Sequence, residues 1–171
     1  MTPGVAAHYS ERVMFDPKEL RRVMGMFATG VTILTTRDSK GQPYGLTANA
    51  VTSLSLEPPL LIICIDKKAE THPHFFDSRL FVVNILAEHQ QELSARFAKS
   101  GGDKFGDLPY SVNGDGVPVL DGTLAQVECC IVQTHDGGDH VIHVGEVKHA
   151  EARGGRPLLF FQGKYRELAD G

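Results

Sequence analysis

The sequence predicts a mainly β fold, an antiparallel barrel with a few peripheral helices. Three observations carry this. Seven segments, 31–36, 44–56, 60–65, 80–86, 123–135, 140–150 and 157–161, read as strands, and many are sequential. Only two segments, 17–28 and 88–99, repeat apolar residues at the helical period. The 171 residues are 42% apolar and 22% charged, an ordinary globular balance. That length suits one domain, expected over 15–171. At this size folding hides roughly 70% of the unfolded chain's surface, so no disulfide or metal staple is required.

Residues 1–14 have no period and are expected to form a flexible N-terminal arm. They lack the basic region and apolar core of a signal peptide. A helix start follows. Asp16 is a good N-cap, Pro17 suits the first helical position, and Glu19 completes a capping box. Phe15 and Leu20 sit where a hydrophobic staple would be. Leu20, Val23, Met24, Phe27 and Ala28 share one helical face, and Gly30 is placed to end the helix. Residues 31–36 are rich in β-branched side chains and read as a strand, with a turn at 38–41. The region 44–56 is a longer strand, dense in Thr and Ser. After Glu57-Pro58-Pro59, the apolar run 60–65 reads as a strand buried on both faces. Residues 80–86 form the next strand, then a helix over 88–99 buries Leu93 and Phe97. The Gly/Asp-rich stretch 100–116 is a long loop of the kind that often carries function. Two long strands flank Asp136-Gly137-Gly138-Asp139, expected as a four-residue hairpin connection, and 157–161 is the last strand.

Charge and cysteines narrow the function. Seventeen basic against 21 acidic residues give −4, which argues against nucleic-acid and membrane partners. The longest apolar run is too short to span a bilayer. Cys64, Cys129 and Cys130 are an odd set with two neighbours, so they read as small buried hydrophobes in a reducing cytoplasm. Eight histidines invite a metal reading, but His72 and His74 flank Pro73, and His140 and His143 fall on opposite strand faces. No metal site is expected. Neither a nucleophile elbow, a P-loop nor a Gly-x-Gly-x-x-Gly fingerprint occurs.

What remains is the segment from Leu46 to Pro59, with small side chains, hydroxyls and the amide of Asn49. By composition it is a Thr/Ser-rich edge strand. Its functional reading is a platform that lets a flat ring approach the backbone. Asp66-Lys67-Lys68 is either a solvated turn or a place for phosphate oxygens.

Several ordered blocks then match a known family: Phe-Ala-Thr-Gly-Val-Thr at 27–32, Leu-Thr-Ala-Asn-Ala at 46–50 and Phe-Val-Val-Asn-Ile-Leu at 81–86. Leu-Ser-Ala-Arg-Phe-Ala at 93–98, Asp-Lys-Phe at 103–105, Gly-Asp-His at 138–140 and Gly-Lys-Tyr at 163–165 follow. Over 15–168 the chain resembles the short-chain flavin reductases, the reductase components of two-component flavin-dependent monooxygenases. The resemblance implies a split β-barrel of the FMN-binding type, a homodimer, and reduction of FAD or FMN by NADH or NADPH. The reduced flavin would pass to a separate monooxygenase. Thr47, Ala48, Asn49 and Ala50 fall where the family lines the isoalloxazine ring. Ser53 and Asp66, Lys67 and Lys68 fall at its ribityl and phosphate part, and Phe97, Ala98, Lys104 and Phe105 at the flavin tail. His140 and Tyr165 match nicotinamide-binding positions. Ala69 departs from the serine that many members carry. Hydride transfer needs no general acid or base, so no catalytic residue is expected. Two rival functions are a non-catalytic flavin carrier, which would share the platform without the groove around His140, and, ranked below it, a small metalloprotein using the histidines.

Overall fold

The computed structural model describes residues 15–169; the arm expected at 1–14 lies outside the described residues. Its main sheet has seven antiparallel strands. In spatial order these are β3 (Pro43–Ala48), β2 (Thr32–Arg37), β6 (Leu80–Ile85), β9 (Ala125–Gly137), β10 (His140–Ala152), β5 (Pro59–Asp66) and β4 (Val51–Leu56). The two edges, β3 and β4, are separated in the chain only by Asn49 and Ala50. A flat sheet would hold its edges about 29 Å apart, at six strand spacings. Three Cα steps reach about 11 Å at most. The sheet therefore curls into an open barrel, and the Cys64 N–H donates to the Ala50 carbonyl at 3.0 Å near the join.

Alternate residues fill the interior. Leu34, Ala48, Leu61, Ile63, Ile65, Phe81, Val83, Cys129 and Ile131 form one core, with Phe75 added from α2 (His72–Ser78). Strand β5 buries Leu61, Ile63 and Ile65 but leaves Ile62 and Cys64 half-buried. The run 60–65 is thus buried on one face, because its outer side lies on the barrel's exterior. Burial pushes the Cys129 thiol up to about 12, and all three cysteines are free.

A second core lies outside the barrel wall. Val31, Ile33, Leu86, Phe97, Phe105, Leu120 and Leu158 pack between β2 and α3 (Gln91–Phe97). A small sheet covers its end: β1 (Thr29–Gly30), β11 (Leu159–Phe161) and β12 (Lys164–Arg166). The hairpin β7 (Tyr110–Val112) and β8 (Pro118–Leu120) sits within and after the long loop region. Buried Asn84 fastens it: its amide donates to the Ile33 carbonyl at 3.0 Å, and its oxygen accepts the Leu120 N–H at 2.9 Å.

Several expectations need correction. Helix α1 (Pro17–Met24) ends at Gly25, not Gly30, because Thr29 and Gly30 are drawn into pairing with β11. Asp16 caps it by accepting the Lys18 N–H at 2.9 Å, whereas Glu19 turns to Arg22 at 2.7 Å, so no capping box forms. The apolar stripe is uncovered: Leu20, Val23, Met24 and Phe27 are all exposed. The strand expected over 44–56 breaks at Asn49-Ala50. The helix at 72–78 and the strand at 164–166 were not foreseen. The β9–β10 connection is two residues, Gly138-Asp139, with Gly138 at φ +80° as a primed hairpin turn requires. Among the described residues, no helix is long and apolar enough to cross a membrane.

Candidate functional site

The site begins with a missing side chain. Gly45 and Thr47 lie on the outer face of β3, since Leu46 and Ala48 point into the barrel. A Cβ on Gly45 would stand 2.7 Å from Phe97 Cε1. Glycine therefore lets the Phe97 ring lie directly on the strand, with its other side edge-on to Phe105 at 5.1 Å. This seats α3. Ser94, one turn before Phe97, then comes over Thr47, whose hydroxyl donates to the Ser94 carbonyl at 2.6 Å.

A third element closes the arrangement. Gln162 and Gly163 both have positive φ, +51° and +74°, and reverse the chain between β11 and β12. The returning strand carries Tyr165, edge-on to Phe160 at 5.6 Å. The Tyr165 hydroxyl meets Ser94 Oγ at 2.8 Å. Between these elements is a slot of about 210 Å³. Thr47, Ala48 and Asn49 form one wall, Ser94 and Ala98 a second, and Phe160 with Tyr165 a third. It is smaller than the roughly 300–1,000 Å³ typical of sites that engulf a drug-sized ligand. A flat ring can enter it, while the rest of a nucleotide must lie outside. Asn49 donates to Thr29 Oγ1 at 3.3 Å, which leaves its second N–H and its carbonyl for a ligand.

A second group lies close by. Asp66 is two residues beyond Cys64 on β5, about 7 Å along the strand from the Ala50 contact. His140 pairs with Asp66 across the sheet, and its Nδ1 meets Asp139 at 2.7 Å. Hydrogen bonding to His140 holds the Asp139 carboxyl below the usual carboxylate range. The Lys67 ammonium is occupied by Asp136 at 2.5 Å and by the Gly138 carbonyl at 2.6 Å. That contact likewise lowers Asp136. Lys67 is thus a strut for the hairpin, and Lys68 is the cation left facing solvent; its own N–H caps Asp66 at 2.8 Å. Ala69 packs against the barrel core.

Lys104 and Phe105 form a third group, toward the start of β3. They border a cavity of about 200 Å³ with Tyr44, Glu70 and Thr71. The Lys104 ammonium lies 3.4 Å from the carbonyls of Gly45 and Phe97. Burial lowers its affinity for a proton, opposed by Glu70.

The structure brings Thr47, Ala48, Asn49, Ala98 and Tyr165 to one slot. Asp66, Lys67, Lys68 and His140 gather at the hairpin end, so His140 and Tyr165 belong to different groups. Ala50 and Ser53 are exposed at the β4 edge. Phe97 is 1% exposed and is core. Ser94 and Gly45 were missed, although both gave a signal: a small residue three before Phe97 on a buried helix face, and a glycine inside a strand.

The remaining histidines do other work. His143 is fully buried inside the barrel, with Nδ1 3.0 Å from Thr134 Oγ1. Burial, aided by neighbouring His72, pushes it down to about 4. Among the described residues no three His, Cys, Asp or Glu side chains gather as metal ligands would.

Comparison with known proteins shows the family. Residues 24–169 match the family described as flavin reductase like domain. The chain is 43% identical over 151 residues to the reductase subunit HsaB of a flavin-dependent monooxygenase from Rhodococcus jostii RHA1, covering 88% of this chain and 77% of that one. It is 43% identical over 150 residues to the FMN reductase (NADH) SmoA of Agrobacterium fabrum, covering 88% and 85%. Among solved structures, the NADH:FAD oxidoreductase SgcE6 of Streptomyces globisporus C-1027, in complex with NAD and FAD fragments, superposes with a TM-score of 0.85. Identity there is 38%, covering 94% of this chain and 98% of that one.

Proposed function

The chain belongs to the flavin reductase like domain family, and from that premise we propose that it is an NAD(P)H:flavin oxidoreductase. It transfers a hydride from NADH or NADPH to FAD or FMN and supplies the reduced flavin to a separate monooxygenase. The observation that carries this reading is the slot itself: the Thr47–Asn49 stretch opposite Ala98, closed by Tyr165. Its volume and wall chemistry suit a planar heteroaromatic ring.

The bound cofactors supply the chemistry, a hydride passing from nicotinamide to flavin. The chain supplies position. Thr47, Ala48, Asn49 and Ala50 wall the ring, and the free Asn49 N–H with nearby main-chain amides favours negative charge at its polar edge. Ser53, Asp66 and Lys68 lie along the ribityl and phosphate side, with Lys67 bracing their turn. Ala98, Lys104 and Phe105 bound the tail, with Phe97 beneath. His140 and Tyr165 position the nicotinamide nucleotide from two sides. No side chain is required to move a proton in the hydride step.

The protein works as a homodimer. Leu20, Val23 and Met24 on α1, Phe27 just after it, and Leu54 and Leu56 on edge strand β4 are exposed apolar surfaces among the described residues. It works in a reducing cytoplasm, consistent with three unpaired cysteines. The test is a turnover assay crossing NADH and NADPH with FMN, FAD and riboflavin. Flavin-dependent nicotinamide oxidation above the uncatalysed background is expected. Flavin binding without oxidation would select a carrier module instead.

A further inference from the structure

One residue holds both walls of the slot. Through its carbonyl Ser94 accepts the Thr47 hydroxyl at 2.6 Å, and through its Oγ it meets the Tyr165 hydroxyl at 2.8 Å. Ser94 itself is fully buried. We infer that Ser94 is the positioning residue of the slot, setting the separation of β3 from Tyr165 and the hydrogen-bonding polarity that the slot offers a ligand. This rests on the flavin reading above.

The polarity follows from counting protons. A threonine hydroxyl has one proton and two lone pairs. Thr47 gives its proton to Ser94, so it can only accept from whatever enters the slot. It is matched to a ring N–H and mismatched to a ring carbonyl. The positioning role follows from how Tyr165 is held. It stands on a three-residue strand after a two-residue turn, packed edge-on against Phe160. Its ring also packs against the second core, and the Ser94 bond fixes where its hydroxyl points. A substitution at Ser94 keeps the carbonyl that takes the Thr47 proton and removes only the Oγ, so its effect reaches the ring through Tyr165.

The experiment compares wild type, Ser94→Ala, Tyr165→Phe and the double variant. Affinity for FMN and for FAD is read by fluorescence titration, and thermal melting is read in parallel. Each single variant is expected to weaken the better-bound flavin about tenfold, the scale of one lost buried hydrogen bond. The double variant should bind no more weakly than the weaker single, because both remove the same bond. A purely structural Ser94 would lower the melting midpoint and leave this coupling absent. Ser94→Ala binding as wild type does, or losses that multiply in the double variant, overturns the inference. Should Ser94→Ala fail to fold, Tyr165→Phe deletes the same bond from the surface side, and unchanged affinity there overturns it equally. Wild type that binds neither flavin removes the functional reading and this inference with it.

Discussion

Replacing Gly45 by alanine should damage stability and binding together, and the geometry sets the size. The new Cβ would lie 2.7 Å and 2.9 Å from two Phe97 ring carbons and 3.2 Å from the Leu34 carbonyl. Carbon atoms in contact prefer about 3.5–4.0 Å, so the ring must retreat by about 1 Å. It has nowhere to go: Phe97 is 1% exposed and abuts Phe105. Helix α3 must therefore lift, and with it Ser94 and Ala98. Overpacking of this kind costs about 1–3 kcal/mol. For a chain of this size each kcal/mol lowers the melting midpoint by about 2–4 °C. A shift of about 1 Å in a positioning wall can cost a hundredfold in rate. Thermal unfolding, flavin titration and turnover on Gly45→Ala, Phe97→Leu and the double variant would measure this. The smaller leucine side chain of Phe97→Leu ought to recover part of the Gly45→Ala loss. Gly45→Ala with wild-type melting and wild-type flavin affinity would refute the seating of α3 on β3, as would a double variant whose losses simply add.

Two further predictions follow from the barrel and the hairpin. His143 is held at about 4 against an ordinary 6.5, so the unfolded chain binds the extra proton first as acidity rises. Its contribution is fully present above about pH 6.5 and is lost as pH falls through about 4, amounting to roughly 2.5 kcal/mol between pH 7.5 and 4.5. Denaturant unfolding at both pH values should show a larger acid loss for wild type than for His143→Leu; equal losses would remove His143 as the cause. At the hairpin, His140→Ala should raise KM for the nicotinamide and leave flavin affinity unchanged. Steady-state kinetics with an unaltered KM would take His140 out of the site.

Most of the strands were legible because β-branched runs and turn residues are local signals. The boundaries that failed did so for non-local reasons. Residues 25–28 carry a helical pattern, but pairing of Thr29 and Gly30 with β11 claims the chain first. The stripe from Leu20 to Phe27 looked like a core face and is exposed in this chain. Strand β12 is three residues long, and only the two positive-φ residues before it mark the turn. The platform at Thr47–Asn49 was visible as a run of small residues beside an amide. Ser94 gave only the signal of a small residue on a buried helix face, and its role shows once the hydroxyls of Thr47 and Tyr165 are found on either side of it. Lys67 shows what a local reading leaves out: beside a turn it reads as a solvated residue or a phosphate ligand, and only the fold brings Asp136 and Gly138 to its ammonium.

The claim that the slot beside Asn49 receives the flavin ring is tested most directly by a crystal structure of the protein grown with FMN or FAD. The ring should lie against Thr47, Ala48 and Asn49, within about 4 Å of their atoms, with Tyr165 still bonded to Ser94. A flavin bound elsewhere while Tyr165 and Phe160 fill the slot would contradict it.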